Sequence, residues 1–88
     1  MAVRAQDIEA ALRSVLAPTS LQVDDDGHRH VGHAGAREGG HFSVRISSAA
    51  FTGLTRVARH RLVYDAVRSL MTQGIHALAI DARAPDES

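Results

Sequence analysis

Five of the chain's seven glycines fall in one stretch, residues 27–40. Glycine loses the most backbone entropy on ordering, so this stretch cannot serve as a helix or a central strand. It reads as a long flexible loop, and a long loop in a small domain is usually functional or disordered. Everything else in the fold has to be built on either side of it. At 88 residues the chain is one domain with one small core, spanning 1–88, and the tail 84–88 is expected to fray.

The patterned segments supply the elements. Ile8, Ala11, Leu12, Val15 and Leu16 recur at helical spacing, which predicts a helix over 5–17 that Pro18 ends. Leu21 and Val23 alternate with polar neighbours up to the Asp24-Asp25-Asp26-Gly27 turn, a short strand. Phe42, Val44 and Ile46 alternate with Ser43, Arg45 and Ser47, a second strand that pairs with the first as an antiparallel hairpin. Ser47 or Ser48 caps a short helical turn ending near Phe51. A longer helix is predicted over 55–72, with Thr55 as cap and a stripe of Val63, Ala66, Val67, Leu70 and Met71, extended back by Leu62 and Val57. His76, Leu78 and Ile80 alternate with Ala77, Ala79 and Asp81, a third strand reached by a parallel crossover. The expected class is α+β, in the order α-β-β-α-α-β: a three-stranded mixed sheet with helices on one face.

Composition narrows the chemistry. There is no cysteine, so neither a disulfide nor a thiol nucleophile nor a thiolate ligand comes from this chain. Ten arginines balance ten acids, and there is no lysine, so no whole-chain basic field attracts nucleic acid. No apolar run approaches the ~18–20 residues that span a bilayer. Residues 1–4 lack an apolar h-region, so the expected compartment is the cytoplasm and no membrane partner is expected. A nucleophile elbow, a P-loop and a paired-carboxylate motif are all missing, and the glycines lack GxGxxG spacing. The chain therefore reads as a non-enzymatic module without a small-molecule substrate.

Histidine is the unusual residue, six in 88. His28, His30 and His33 crowd the glycine stretch, and imidazole is a common ligand for zinc, copper, nickel and iron. The competing reading is a polar surface loop with incidental histidines. A loop that binds a free divalent ion without a partner is a further possibility. His76 opens the third strand, either as a ligand or as a core histidine beside Leu78 and Ile80. Arg56, Arg59 and Arg61 lie on one helix that begins after a glycine turn. They suggest a DNA-reading helix or, more simply, a solvated charged face. Only Phe42, Phe51 and Tyr64 could stack on bases, and the phenylalanines read as core.

Several strings together resemble the BolA-like proteins. They are Gly40-His41-Phe42 opening a strand, Ser47 to Gly53 as SSAAFTG, Arg59-His60-Arg61-Leu62-Val63-Tyr64, and Gly74-Ile75-His76-Ala77-Leu78. The loop run His28-Arg29-His30-Val31-Gly32-His33-Ala34-Gly35 belongs with them, and its extra histidine and HAG repetition are similar to bacterial members. The likeness runs from the first helix to the last strand. It implies a class II KH-like fold. It also implies pairing with a monothiol glutaredoxin and a shared [2Fe–2S] cluster, with glutathione supplied alongside the partner, in iron–sulfur trafficking or iron and redox regulation. The alternative it implies is a DNA-binding transcriptional regulator of stress response and morphology.

By the same resemblance His76 matches the usual cluster ligand, and His30 matches the His-or-Cys position of the variable loop. His33 is a second loop candidate, and His41 and His60 are expected to be structural or interface residues. A thiol-free chain cannot hold a cluster in the usual way, but histidine can replace thiolate on one iron. Because a ligating imidazole is neutral, cluster binding is expected to weaken as pH falls through roughly 6.5.

Overall fold

The computed structural model describes residues 3–26 and 40–87. Helix α1 spans Ala5–Leu16. Asp7, in its first turn, accepts a hydrogen bond from the Arg4 backbone N–H at 2.9 Å, which ties down the helix start and puts a carboxylate at the positive end of the dipole. Ile8, Leu12 and Leu16 form its buried seam. Val15, expected on that stripe, is 61% exposed, because the helix meets the core along the other three and Val15 lies off their line. The helix ends at Ala17, whose φ of 43° is left-handed without the glycine that usually serves there.

Strands β1 (Ser20–Asp25) and β2 (Gly40–Ser47) pair antiparallel, and β3 (Ile75–Arg83) pairs parallel to β2, giving the order β1-β2-β3. Phe42, Val44 and Ile46 alternate inward as expected. Gly40, expected at the end of the loop, is instead the first residue of β2. The remainder of that predicted loop, 27–39, lies outside the described residues.

Ser48 settles the choice between the two candidate caps. Its hydroxyl accepts from the Ala50 backbone N–H at 3.1 Å, opening the 3-10 turn Ala49–Phe51, and donates to the Leu16 carbonyl at 2.6 Å. One buried hydroxyl thus joins the end of α1 to the end of β2. Helix α2 (Arg56–Ala66) starts at the expected Thr55 cap, whose hydroxyl accepts from the Ala58 N–H at 3.1 Å.

The single helix predicted over 55–72 is broken at Val67, with φ −109° and ψ 17°, and continues as the short α3 (Arg68–Met71). Neither proline nor glycine marks this break. Val67 is fully buried there, so packing decides it. Val57, expected to extend the stripe, is 61% exposed. Ile8, Leu12, Phe42, Val44, Phe51, Val63, Val67 and Leu78 form the centre of one core between the helices and one face of the sheet.

The tail differs from its expected fraying. Ala84 is buried, and Pro85–Glu87 form a 3-10 turn. The Glu87 carboxylate accepts from both Nη groups of Arg59, with Nη2 at 2.8 Å, and from the Ala84 backbone N–H at 3.0 Å. A bidentate guanidinium–carboxylate pair plus a backbone bond holds residues 84–87 against α2.

Candidate functional site

The sheet register slips between Gly40 and His41. Gly40 pairs with Ile75, but His41 pairs with Ala77, so His76 is an extra residue in β3. The bulge has a direct consequence for the side chains. Ile75 and Leu78 are buried, while His76 is exposed. The sequence alternation had placed His76 with Leu78 and Ile80 on one face. The bulge removes it from that face and turns it outward, as bulges do beside binding sites.

The neighbour it meets is His41. The two ring centroids stand 5.1 Å apart with planes tilted by 47°. His41 is half-buried, and its carbonyl accepts from the Asp26 N–H at 2.7 Å. The Ser43 hydroxyl donates to the Asp26 carboxylate. On the other side the Gly40 N–H donates to the Gly74 carbonyl at 2.6 Å.

Gly40 is required here by contact and not by backbone angle. A Cβ at this position would fall 2.3 Å from Cε2 of Phe42, whose ring is in the core. The imidazole pair is therefore carried on a sheet end fixed by backbone bonds and by a buried ring.

Of the residues singled out from the sequence, His76 stands in this pair, and His28, His30 and His33 lie outside the described residues. His41, expected to be structural or interfacial, is the residue whose ring lies beside His76. Its signal was the Gly40-His41-Phe42 string, but its proximity to His76 depends on a bulge that no sequence pattern announces. His60 is elsewhere, half-buried on α2, in a groove shared with Leu54, Arg56, Ile80 and Asp81.

The arginine trio divides. Arg56 and Arg61 are exposed on α2, whereas Arg59 is committed to Glu87, with its Nε also donating to the Leu54 carbonyl at 2.9 Å. A guanidinium so engaged is a clamp for the tail, so Arg59 is set apart from the exposed Arg56 and Arg61.

The electrostatics of that side are internally matched. Hydrogen bonds from Arg59 and the Ala84 N–H hold the Glu87 carboxyl at about 2. The Arg83 guanidinium, 3.0 Å from Asp81, holds that carboxyl below its ordinary range.

Two imidazoles suit zinc, nickel, copper or iron. Histidine can also take the place of two thiolates on one iron of a [2Fe–2S] cluster. The exposed imidazole of His76 is a nitrogen donor of the right chemistry for such an iron. Among the described residues no group of three or more His, Cys, Asp or Glu could hold a metal ion.

Comparison with known proteins bears on the fold and the family. The family model described as BolA-like protein matches residues 12–87. The solved BolA domain of SufE1 from Arabidopsis thaliana superposes with a TM-score of 0.84 at 41% identity, covering 100% of this chain and 99% of that one. The solved BolA1 of the same plant gives 0.84 at 39% identity, covering 100% and 98%. A relative in Escherichia coli K12, named DNA-binding transcriptional regulator BolA, is 37% identical over 73 residues, 83% of this chain and 68% of that protein.

The full-length plant relatives are longer. The chain spans 56% of chloroplastic BOLA1 and 24% of SufE-like protein 1. The fold found here, a three-stranded mixed sheet with helices on one face, is that of the BolA domains. The chain belongs to the BolA-like protein family.

Proposed function

We propose that this chain is a non-enzymatic adaptor that pairs with a monothiol glutaredoxin and contributes imidazole ligands to a shared [2Fe–2S] cluster, in iron–sulfur trafficking or redox regulation. The observation that carries the reading is His76, exposed at a bulge on the end of the sheet, in a chain without any thiol. The partner and its glutathione supply the sulfur donors. His76 supplies one nitrogen donor, and a second imidazole of this chain completes that side, with His30 and His33 offered by the sequence. That a plant relative carries its BolA domain within a protein named SufE-like supports an iron–sulfur setting. The histidine-rich run 28–35 supports a bacterial-type member.

Anaerobic reconstitution with a monothiol glutaredoxin, followed by visible absorption and circular dichroism, tests this. The wild-type mixture is expected to give a spectrum distinct from the glutaredoxin homodimer, and His76→Ala to lose it. A mixed spectrum unchanged in His76→Ala would refute the assignment.

A second reading, a DNA-binding regulator on a class II KH-like fold, is favoured by exposed Arg56 and Arg61 on α2 and by the name of the Escherichia coli relative. With Arg59 engaged by Glu87, that helix offers two arginines in place of three. Phosphate contacts make binding salt-dependent, so a gel shift at two salt concentrations with Arg56→Ala/Arg61→Ala separates the readings. No shift at low salt removes this one.

A further inference from the structure

The sheet face turned away from the helices carries a concavity of about 290 Å³ at the end far from His76, lined by Ser20, Arg45, Ile46, Ser47, Asp81 and Arg83. Strand register brings the polar side chains together. Ser20 pairs with Ser47 and Ser47 with Arg83, one row across all three strands. Arg45 and Asp81 pair in the next row on that face, because Ile46 and Ala82 between them turn toward the core. We infer that this concavity binds a phosphate group, held by the guanidinium groups of Arg45 and Arg83 and by the Ser47 hydroxyl, with the Ser20 hydroxyl on the β1 side.

Ser47 is only 8% exposed, and its hydroxyl has no hydrogen-bond partner among the described residues. No wholly buried side-chain oxygen of those residues lacks a partner, so the Ser47 Oγ opens into the concavity. A hydroxyl set that deep without a protein partner is one that a ligand oxygen satisfies. Arg45 is exposed and makes no side-chain hydrogen bond among the described residues, which leaves its whole fork for a ligand.

Arg83 is prepared differently. Its Nε and Nη2 donate to the Asp81 carboxylate at 3.0 and 3.2 Å, leaving Nη1 without a bond. That pair fixes the plane of the Arg83 guanidinium and neutralises the one carboxylate of the concavity, so Arg45 adds an uncompensated positive charge. Donors carried on three strands reach an anion from different sides. This suits a tetrahedral oxyanion, whereas one guanidinium fork already satisfies a planar carboxylate.

NMR of backbone amides and arginine side chains tests the site with inorganic phosphate, glycerol phosphate and acetate in turn, at about 0.15 M sodium chloride to screen long-range attraction. Inorganic phosphate is expected to saturate at one per chain and to shift the amides of Arg45, Ser47 and Arg83 and the Nε–H of both arginines. These shifts are read in wild-type protein, so they do not depend on a variant's folding. Arg45→Ala should weaken binding about tenfold and Ser47→Ala about threefold, as expected for losing a charged and a neutral hydrogen-bond donor. Arg13→Ala, at an exposed arginine of α1, should leave it within about twofold.

Glycerol phosphate binding at least as tightly as the free ion supports a site for the end of a phosphorylated small molecule. Inorganic phosphate binding alone supports a site for the free ion. Acetate binding as tightly as phosphate overturns the inference. So do unsaturating shifts spread over all the arginines, or full phosphate affinity in folded Arg45→Ala and Ser47→Ala.

Discussion

The two ends of the sheet are built on opposite plans. At the end holding Ser47 and Arg83, side chains toward the helices satisfy the structure itself. The Ser48 hydroxyl closes the α1 terminus, its backbone N–H donates to the Arg83 carbonyl at 3.0 Å, and Arg59 pins the tail through Glu87. At the end holding Gly40 and Ile75, backbone bonds and the Phe42 ring provide the fixing, and the imidazoles of His41 and His76 are presented together. At the first end Ser48, Arg59 and Glu87 are absorbed by folding. At the second end the His76 ring is left exposed.

The sharpest way to break this contrast is Gly40→Ala. The added methyl meets a core ring that cannot swing aside, so a loss of about 2–3 kcal/mol is expected, an overpacking cost. Denaturant unfolding measures it, and a neutral result would show that Phe42 is not locked over the strand start. Ser48→Ala comes next. It strands the Leu16 carbonyl without its buried donor, at a cost of about 1–2 kcal/mol. Metal binding should be untouched in Ser48→Ala. His76→Ala should do the reverse, leaving stability within about 0.5 kcal/mol because the residue is exposed. If either variant moves both quantities, the two ends are coupled.

Acid probes the closed end through Glu87. The Glu87 carboxyl sits at about 2 in the folded chain against an ordinary 4.5. Its depressed value means the contribution is complete above the ordinary value and fades as pH falls through the folded one. The tail should therefore stay docked down to about 4.5 and loosen toward about 2, read by exchange of the Ala84 amide and the Arg59 Nε–H. Release already near neutrality would contradict the clamp.

The smallest effect concerns Ala17, whose left-handed φ of 43° suits glycine better. Ala17→Gly is expected to raise stability by up to about 1 kcal/mol, visible as a small rise in Tm. A loss would mean that the Ala17 methyl contributes to packing.

Much of this architecture was readable beforehand. The alternation of Phe42, Val44 and Ile46, the Thr55 cap and the Leu12/Leu16 seam are local signals, and each appears where its pattern predicts. The failures have a common cause. Val15 and Val57 are apolar at helical spacing, but periodicity does not say how wide a face the core covers. The break at Val67 carries no breaker residue, and the bulge at His76 is one inserted position in a pattern that alternates well without it. The Arg59–Glu87 clamp joins residues far apart in the chain, so a charged face and an acidic tail read as two solvated segments until they meet.

The amino-acid sequence by itself determined which donors the chain has to offer: six imidazoles and no thiol. Tertiary structure alone decided which imidazoles stand together. Pairing of His41 with His76 is a matter of inter-strand register, set by how β3 slips against β2 to bury Ile75 and Leu78 at once. Composition and periodicity are properties of one segment at a time, whereas register is a property of two strands packed on a shared core.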